Sequence, residues 1–515
     1  MYRRCKDHLA GGSTTALAAV AIAIMLGSPG CASTGSAAHE DLPGATQEQR
    51  LSRSQELAHG ARVLRAGPRW RESEDLARQS VEVLEPAAAE VPVELAERLF
   101  LHASILTENG NLIRAQAQYA RALALRQEAL GPNHPDVATA LNNLGEVLRA
   151  QGRLDDAEPL FRRALAIQED ALGPDHLEVA VSLNNLGNLY CDRGDHARAR
   201  PRFVRSLKIK EKTLGPDHPA VATTLNNMSR VAFHDGDYRQ ADALLRRALT
   251  IYEQSLGFDH ASVAVALSNL ARSRCAQGDC EHAEDMAERA LRIHEKVWGD
   301  QHPATAATLD TLASVQVRQG RAKRAMVSAR RALAAYESVQ PVDPVRLARS
   351  LNTLGTAQLL TGDLAGARDS LQRARRTLEL GAPPDHPDLV LVYSNLAQAE
   401  LRGGRVEDAL PLAQRALELC RRTRPPDHPD LATTLLNVAD LQQHGHDREA
   451  ALRALDEAVE VLERGQHQQL PEARRVYALA AALHRRQGHL ERAAELQGLL
   501  DGLSTADSLQ ISSPP

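Results

Sequence analysis

The sequence predicts an all-α protein, a right-handed solenoid of stacked antiparallel helix pairs, and three observations carry that expectation. The 515-residue chain repeats itself at a step of 42: Gly110, Gly152, Gly194, Gly236, Gly278, Gly320, Gly362, Gly404 and Gly488 stand on one ladder. Ala115, Ala157, Ala199, Ala241, Ala283, Ala325, Ala367, Ala409, Ala451 and Ala493 stand on a second. The composition is 43% hydrophobic but only 3% aromatic. A core of Ala and Leu suits helices, because strands favour β-branched and aromatic residues. Within one unit the apolar residues recur at helical spacing, Val221, Leu225, Met228 and Ala232 on one stripe and Ala241, Leu244, Leu245, Ala248 and Leu249 on the next. Gly236 falls between the stripes, where a residue free to take positive φ ends a helix. One such hairpin buries too little to be stable alone, so the units stack.

Taken in order, residues 1–30 read as an export signal. Arg3, Arg4 and Lys6 precede the uncharged run TTALAAVAIAIMLG, which is shorter than the roughly 20 apolar residues of a membrane-spanning helix. Residues 31–50 are small and polar without an apolar face and read as a flexible tether. Residues 51–90 fit the repeat only through WRESEDLARQSVEVL and are expected to form a degenerate helical cap. Residues 91–504 hold ten registered copies of the unit, and 505–515 read as a disordered tail. A third ladder of small residues, Ala103, Gly145, Gly187, Ser229, Ala271, Ala313, Gly355, Ala397, Ala439 and Ala481, marks where paired helices approach closely. Pro135, Pro219, Pro303, Pro387 and Pro429 open the first helix of each pair, where the missing N–H is no loss. Asp136, Glu178, Asp388 and Asp430 follow at the positive end of the helix dipole.

The pattern Leu183, Asn184, Asn185, Leu186, Gly187, Tyr190, Gly194, Ala199, Phe203 and Leu207 resembles tetratricopeptide repeats of the 42-residue kinesin-light-chain type, and the resemblance extends from Val91 to about Leu503. It implies a superhelix whose first helices line a concave groove that holds an extended peptide, with Asn side chains on the peptide backbone. A kinesin light chain carries a heptad-rich coiled coil before its repeats; this chain carries the signal-like segment there, so the motor-subunit role does not transfer. The stretch LGSPGCAS resembles the lipobox of bacterial lipoproteins, with Gly30 before a lipidated Cys31, although Ser28 stands where that family usually has Leu. The resemblance implies an envelope protein anchored at Cys31 in an outer membrane and facing the periplasm; secretion and a cytoplasmic location are the alternatives.

Catalytic and metal chemistry find little support. His134, His176, His218, His260, His302, His386 and His428 recur at one turn per repeat, too far apart to share an ion with ligand distances of about 2.0–2.3 Å. They are expected to cap or pack beside the next helix. No P-loop, nucleophile elbow, H-E-x-x-H or dinucleotide fingerprint is present, so no cofactor is expected and no enzyme. With 61 basic and 66 acidic residues unsegregated along the chain, nucleic acid is not an expected partner. Of six cysteines, Cys275 and Cys280 bracket one interhelical turn, where either a disulfide in an oxidising compartment or a pair of small core thiols would serve.

The candidate binding residues lie on the first helices. They are the pairs Asn142 and Asn143, Asn184 and Asn185, Asn226 and Asn227, then Asn269, Asn352, Asn395 and Asn437, since an amide offers both donors and an acceptor to a peptide. The alternative is that these amides bond a neighbouring helix. Four positions after the leading Asn the ladder reads Glu146, Asn188, Arg230, Arg272 and Ser314, and its arginines either suit an acidic segment through bidentate pairing or pair with Glu or Asp on neighbouring helices. Two functions follow: a non-enzymatic scaffold for a partner protein's extended segment, anchored to the envelope through Cys31, or a cytosolic regulatory module acting in trans on a signalling kinase or NTPase.

Overall fold

The computed structural model describes residues 45–510 apart from 66, 340–341, 446 and 466–470. Cys31, the signal segment and most of the tether lie outside the described residues. Among the described residues there are 22 α-helices and no strand. In pairs these are α1 (Gln47–Leu64) with α2 (Trp70–Glu82), α3 (Pro92–Glu108) with α4 (Leu112–Leu130), α5 (Pro135–Ala150) with α6 (Leu154–Leu172), and α7 (Leu177–Asp192) with α8 (His196–Leu214). Next come α9 (Pro219–His234) with α10 (Tyr238–Leu256), α11 (Ala261–Ala276) with α12 (Cys280–Trp298), α13 (Pro303–Arg318) with α14 (Ala322–Glu337), and α15 (Pro344–Thr361) with α16 (Leu364–Gly381). The last are α17 (Asp388–Arg402) with α18 (Val406–Thr423), α19 (Pro429–His444) with α20 (Arg448–Arg464), and α21 (Pro471–Arg486) with α22 (Leu490–Gln510).

Two turns alternate along the array, each with its own chemistry. At the hairpin turn every glycine of the expected ladder has positive φ, from 72° at Gly320 to 95° at Gly278. The next residue's N–H reaches back into the helix just ended, as Asp195 N to Tyr190 O at 2.8 Å does, closing the last helical turn. Asp195, Asp237, Asp363 and Asp447 then cap the second helix by accepting an N–H three residues on. At the turn between pairs, a second set of glycines that the sequence reading did not separate out, Gly131, Gly173, Gly215, Gly257 and Gly299, also takes positive φ. All seven repeat histidines then cap the following helix, each Nδ1 accepting the N–H two residues later at 3.0–3.2 Å. Where the histidine is lost, Asp343 replaces it and accepts from the N–H groups of Val345 and Arg346.

Three boundaries differ from expectation. Thr46 and Gln49 form a capping box that starts α1 at Gln47, inside the stretch read as tether. At the other end α22 continues to Gln510, into the stretch read as tail. Pro387 is the cap residue before α17 rather than its first residue.

The Ala ladder is buried throughout, none of its ten members exceeding 2% exposure. The third ladder sets the spacing inside each pair. A Cβ on Gly187 would lie 2.7–2.8 Å from the ring of Phe203, and one on Gly145 2.8–3.1 Å from Phe161. From α5 onward each first helix packs on the next first helix as well as on its own partner: α5 touches α7, α7 touches α9, and so on to α21. The first helices therefore make the inner wall and the second helices the outer one.

Candidate functional site

The inner wall is built from first helices in one register, so a residue type repeated at the 42-residue step becomes a row along it. The Asn row is committed largely to itself. Asn227 Nδ2 donates to Asn184 Oδ1 at 3.2 Å, Asn269 to Asn226 at 3.0 Å and Asn395 to Asn352 at 2.9 Å. The step of 43 residues brings the second Asn of one repeat onto the first Asn of the repeat before. Asn437 accepts from Gln398 at 3.5 Å, and Asn143 donates to the Thr139 carbonyl at 2.8 Å. Asn142 donates to Ser182 at 2.7 Å. Asn142, Asn185 and Asn188 are buried, and each keeps an Oδ1 that receives no hydrogen bond among the described residues. Most of these amides thus join one repeat to the next.

The charged residues of the inner wall gather where α5, α7, α9 and α11 end and where α15 and α17 begin. Asp192, at the end of α7, is held by both Arg149 and Arg230. Burial would raise its carboxyl, but the two guanidinium groups outweigh it and keep the pKa below the usual range. Arg349 pairs in the same way with Asp388, whose carboxyl is also held low. Arg230, expected to meet a ligand, is therefore engaged by Asp192. Arg272 is different. Its guanidinium has no carboxylate partner among the described residues and lies 5.5 Å from the centre of the Phe233 ring. The side chain is open to water yet surrounded by protein, and that enclosure, with Arg349 and Arg230 nearby, pulls its pKa down to about 10. Asp310, where the ladder would place an Asn, accepts from Ser350 and from Tyr336, and burial pushes its carboxyl up to about 7.

A polar row that the sequence reading missed joins second helices to the following first helices. Gln168 accepts from Ser182, Lys210 donates to Thr224 at 2.9 Å, and His294 Nδ1 bonds Thr308 at 2.8 Å, each pair 14 residues apart. The changing residue types hid it, since only the position recurs. Cys275 and Cys280 are joined as a disulfide across the α11–α12 turn, while Cys191 and Cys420 are buried free thiols.

A family profile described as tetratricopeptide repeat matches residues 95–170, 136–212, 178–254, 262–338 and 388–464, and a second of the same description matches 348–373. Together the matches cover more than half of the chain. No curated protein matches the sequence. Among solved structures, BtubC (BKLC) from P. vanneervenii is 25% identical, with a TM-score of 0.36 over 44% of this chain and 91% of that one. Kinesin light chain nearly identical TPR-like repeats from Podosopora anserina are 24% identical, with a TM-score of 0.33 over 40% of this chain and 99% of that one. A Rap protein complexed with Competence and Sporulation Factor is 15% identical, with a TM-score of 0.54 over 72% of this chain and 99% of that one. The Rap likeness is one of fold and extends over most of the array.

Proposed function

The chain belongs to the tetratricopeptide repeat family, and from that premise we propose that it is a non-enzymatic scaffold whose inner wall holds an extended, acidic segment of a partner protein, anchored to the cell envelope through a lipid on Cys31. The observation that carries the acidic preference is Arg272. Its neighbours Arg230 and Arg349 are each matched by an aspartate, and it alone of the three has a guanidinium fork available for an incoming carboxylate. The orphaned Oδ1 atoms of Asn142, Asn185 and Asn188 support the peptide reading. A buried acceptor without a donor costs about 1–3 kcal/mol, which a side-chain rotation toward a partner's backbone N–H would recover. The Rap structure, complexed with Competence and Sporulation Factor, offers a precedent for this fold in a complex.

Anchoring rests on the sequence of residues 1–31 and is favoured by the Cys275–Cys280 disulfide, a bond suited to an oxidising compartment. Among the described residues no helix is long and apolar enough to cross a membrane. Metabolic labelling with a fatty acid should mark the wild type and miss Cys31→Ser; equal labelling of both, or of neither, ends the anchoring reading. For the scaffold, Arg272→Glu should weaken capture of the partner more than tenfold while leaving the melting curve in place. Unchanged, salt-insensitive binding would remove Arg272 from the site.

A further inference from the structure

The superhelix winds tightly enough for its second turn to rest on its first. Arg71, on the cap helix α2, donates from both terminal nitrogens to Gln301 Oε1 at 3.2 and 3.3 Å, across a separation of 230 residues, between five and six repeats. Beside it the Trp70 ring meets His302 edge-on at 5.6 Å, and His302 stacks on Trp298 at 4.7 Å. These are the only two tryptophans of the chain. The contact continues along the edge of the ribbon. A Cβ on Gly110 would lie 3.6 Å from Pro303, one on Gly152 3.2 Å from Pro383, and one on Gly194 3.2 Å from the Thr423 carbonyl. In contrast, Gly278, Gly320, Gly362, Gly404 and Gly488 have nothing within 4 Å. The hairpin edge of the first turn is covered by the second turn, and the hairpin edge of the second turn is open.

We propose that this seam is a latch: the cap helix α2, through Trp70 and Arg71, closes the ribbon into a tube, and the middle of the inner wall is reached from the side only when the seam parts. The level that it covers is the one where α3, α5 and α7 end, against the start of α13 and the turns before α17 and α19. Two features make the latch releasable. Its contacts are turn edges, one pair of hydrogen bonds and a ring edge, and among the described residues neither tryptophan, though buried, joins a hydrophobic cluster of the repeats. At the seam two buried donors are also unmatched among the described residues, as the Nε2 of the cap histidine His260 is elsewhere. His302 Nδ1 accepts from the Ala304 N–H, which places its proton on Nε2, and neither that N–H nor the Trp298 indole N–H has an acceptor. Opening gives both donors water.

The latch can be tested without a ligand, so its failure is separable from failure of the scaffold reading. In the full chain carrying Cys5→Ser and Cys31→Ser, Ala307→Cys places a thiol on an exposed position of α13, close behind His302. Burial pushes the Cys191 and Cys420 thiols up to about 12 and about 11, which keeps them silent. A small maleimide should label the introduced thiol at least tenfold faster than a bulky polyethylene-glycol maleimide. Arg71→Glu with Gln301→Glu, both at exposed positions, should speed the bulky reagent at least tenfold and leave the small one unchanged. In parallel, Trp70→Phe leaves Trp298 as the sole reporter, and the same charge pair should raise its quenching by acrylamide. Equal rates for the two reagents in the parent, or a double glutamate variant that alters neither labelling nor quenching, overturns the latch.

Discussion

The repeats α5–α8 and α11–α14 follow the same 42-residue step and solve the same packing problem differently. In the first region a glycine on the inner helix lets an aromatic ring fill the gap: Gly145 faces Phe161 and Gly187 faces Phe203, both rings fully buried. In the second, the same ladder positions hold Ala271 and Ala313, with Ala287 and Ala329 where the phenylalanines stood. Both regions carry a glutamate network beside this site: Glu158 accepts from Tyr190 at 3.0 Å and pairs with Arg162 and Arg193, and Glu284, 3% exposed, accepts from Gln316 at 3.0 Å and pairs with Arg324 at 2.9 Å and with Arg321. A disulfide closes the α11–α12 turn of the second region. The repeat thus specifies where the helix axes lie, and the contact between them is made either by a glycine facing a ring or by a pair of alanines.

The largest effect should come from emptying the first solution. Phe203→Ala is expected to destabilise the array by about 3–5 kcal/mol, because the close backbone approach at Gly187 cannot collapse further; denaturant melts of the purified chain measure it. Overfilling the same site comes next. Gly187→Ala should cost up to about 3 kcal/mol, since its Cβ must displace the Phe203 ring. In the second region the inverse change, Ala271→Gly, should cost about 1 kcal/mol through helix propensity alone. If the two changes at this ladder position give equal losses, the volume argument is wrong. Reducing Cys275–Cys280 should lower stability by about 2 kcal/mol, as expected for so short a loop, and leave Phe203→Ala additive with it because the sites share no partner.

The smallest expected difference is in pH dependence. Burial pulls Lys210, in the first region, down to about 8 from 10.5, so the unfolded chain binds its proton more readily and stability should rise as pH climbs from 8 to 10.5. Lys210→Met should flatten that rise. Burial pulls His294, in the second region, down to about 4 from 6.5, so stability should fall as pH drops from 6.5 toward 4. Thermal melts across both windows would separate the regions.

Much of the architecture was legible because it is periodic. The glycine, alanine and histidine ladders reappear as positive-φ turns, buried helix contacts and helix caps. Two parts of the site were not legible. The sequence left Asn184 and Asn227 open between peptide contact and a bond to a neighbouring helix, and the close approach of inner helices, which turns a 42-residue repeat into a 43-residue hydrogen bond, is not announced by a row of identical positions. Likewise Arg230 is equally a ligand residue or half of an ion pair until its partner is seen, 38 positions earlier and off every ladder. The seam was invisible for a different reason: the contact of Trp70 with His302 depends on the accumulated twist of between five and six repeats, and no local pattern encodes that sum.

The central claim is that partners are held on the inner wall, and one measurement addresses it without a known partner. Leu391 on inner helix α17 is 53% exposed and Val327 on outer helix α14 is 60% exposed, so each can carry a photo-crosslinking amino acid without disturbing the core. Irradiation in living cells, followed by peptide mapping, should give an adduct from position 391 to one extended, acidic segment, lost when Arg272→Glu is added, and none of that protein from position 327. Adducts that form from position 327 and persist with Arg272→Glu, with none from 391, would place recognition on the outer surface and contradict the account.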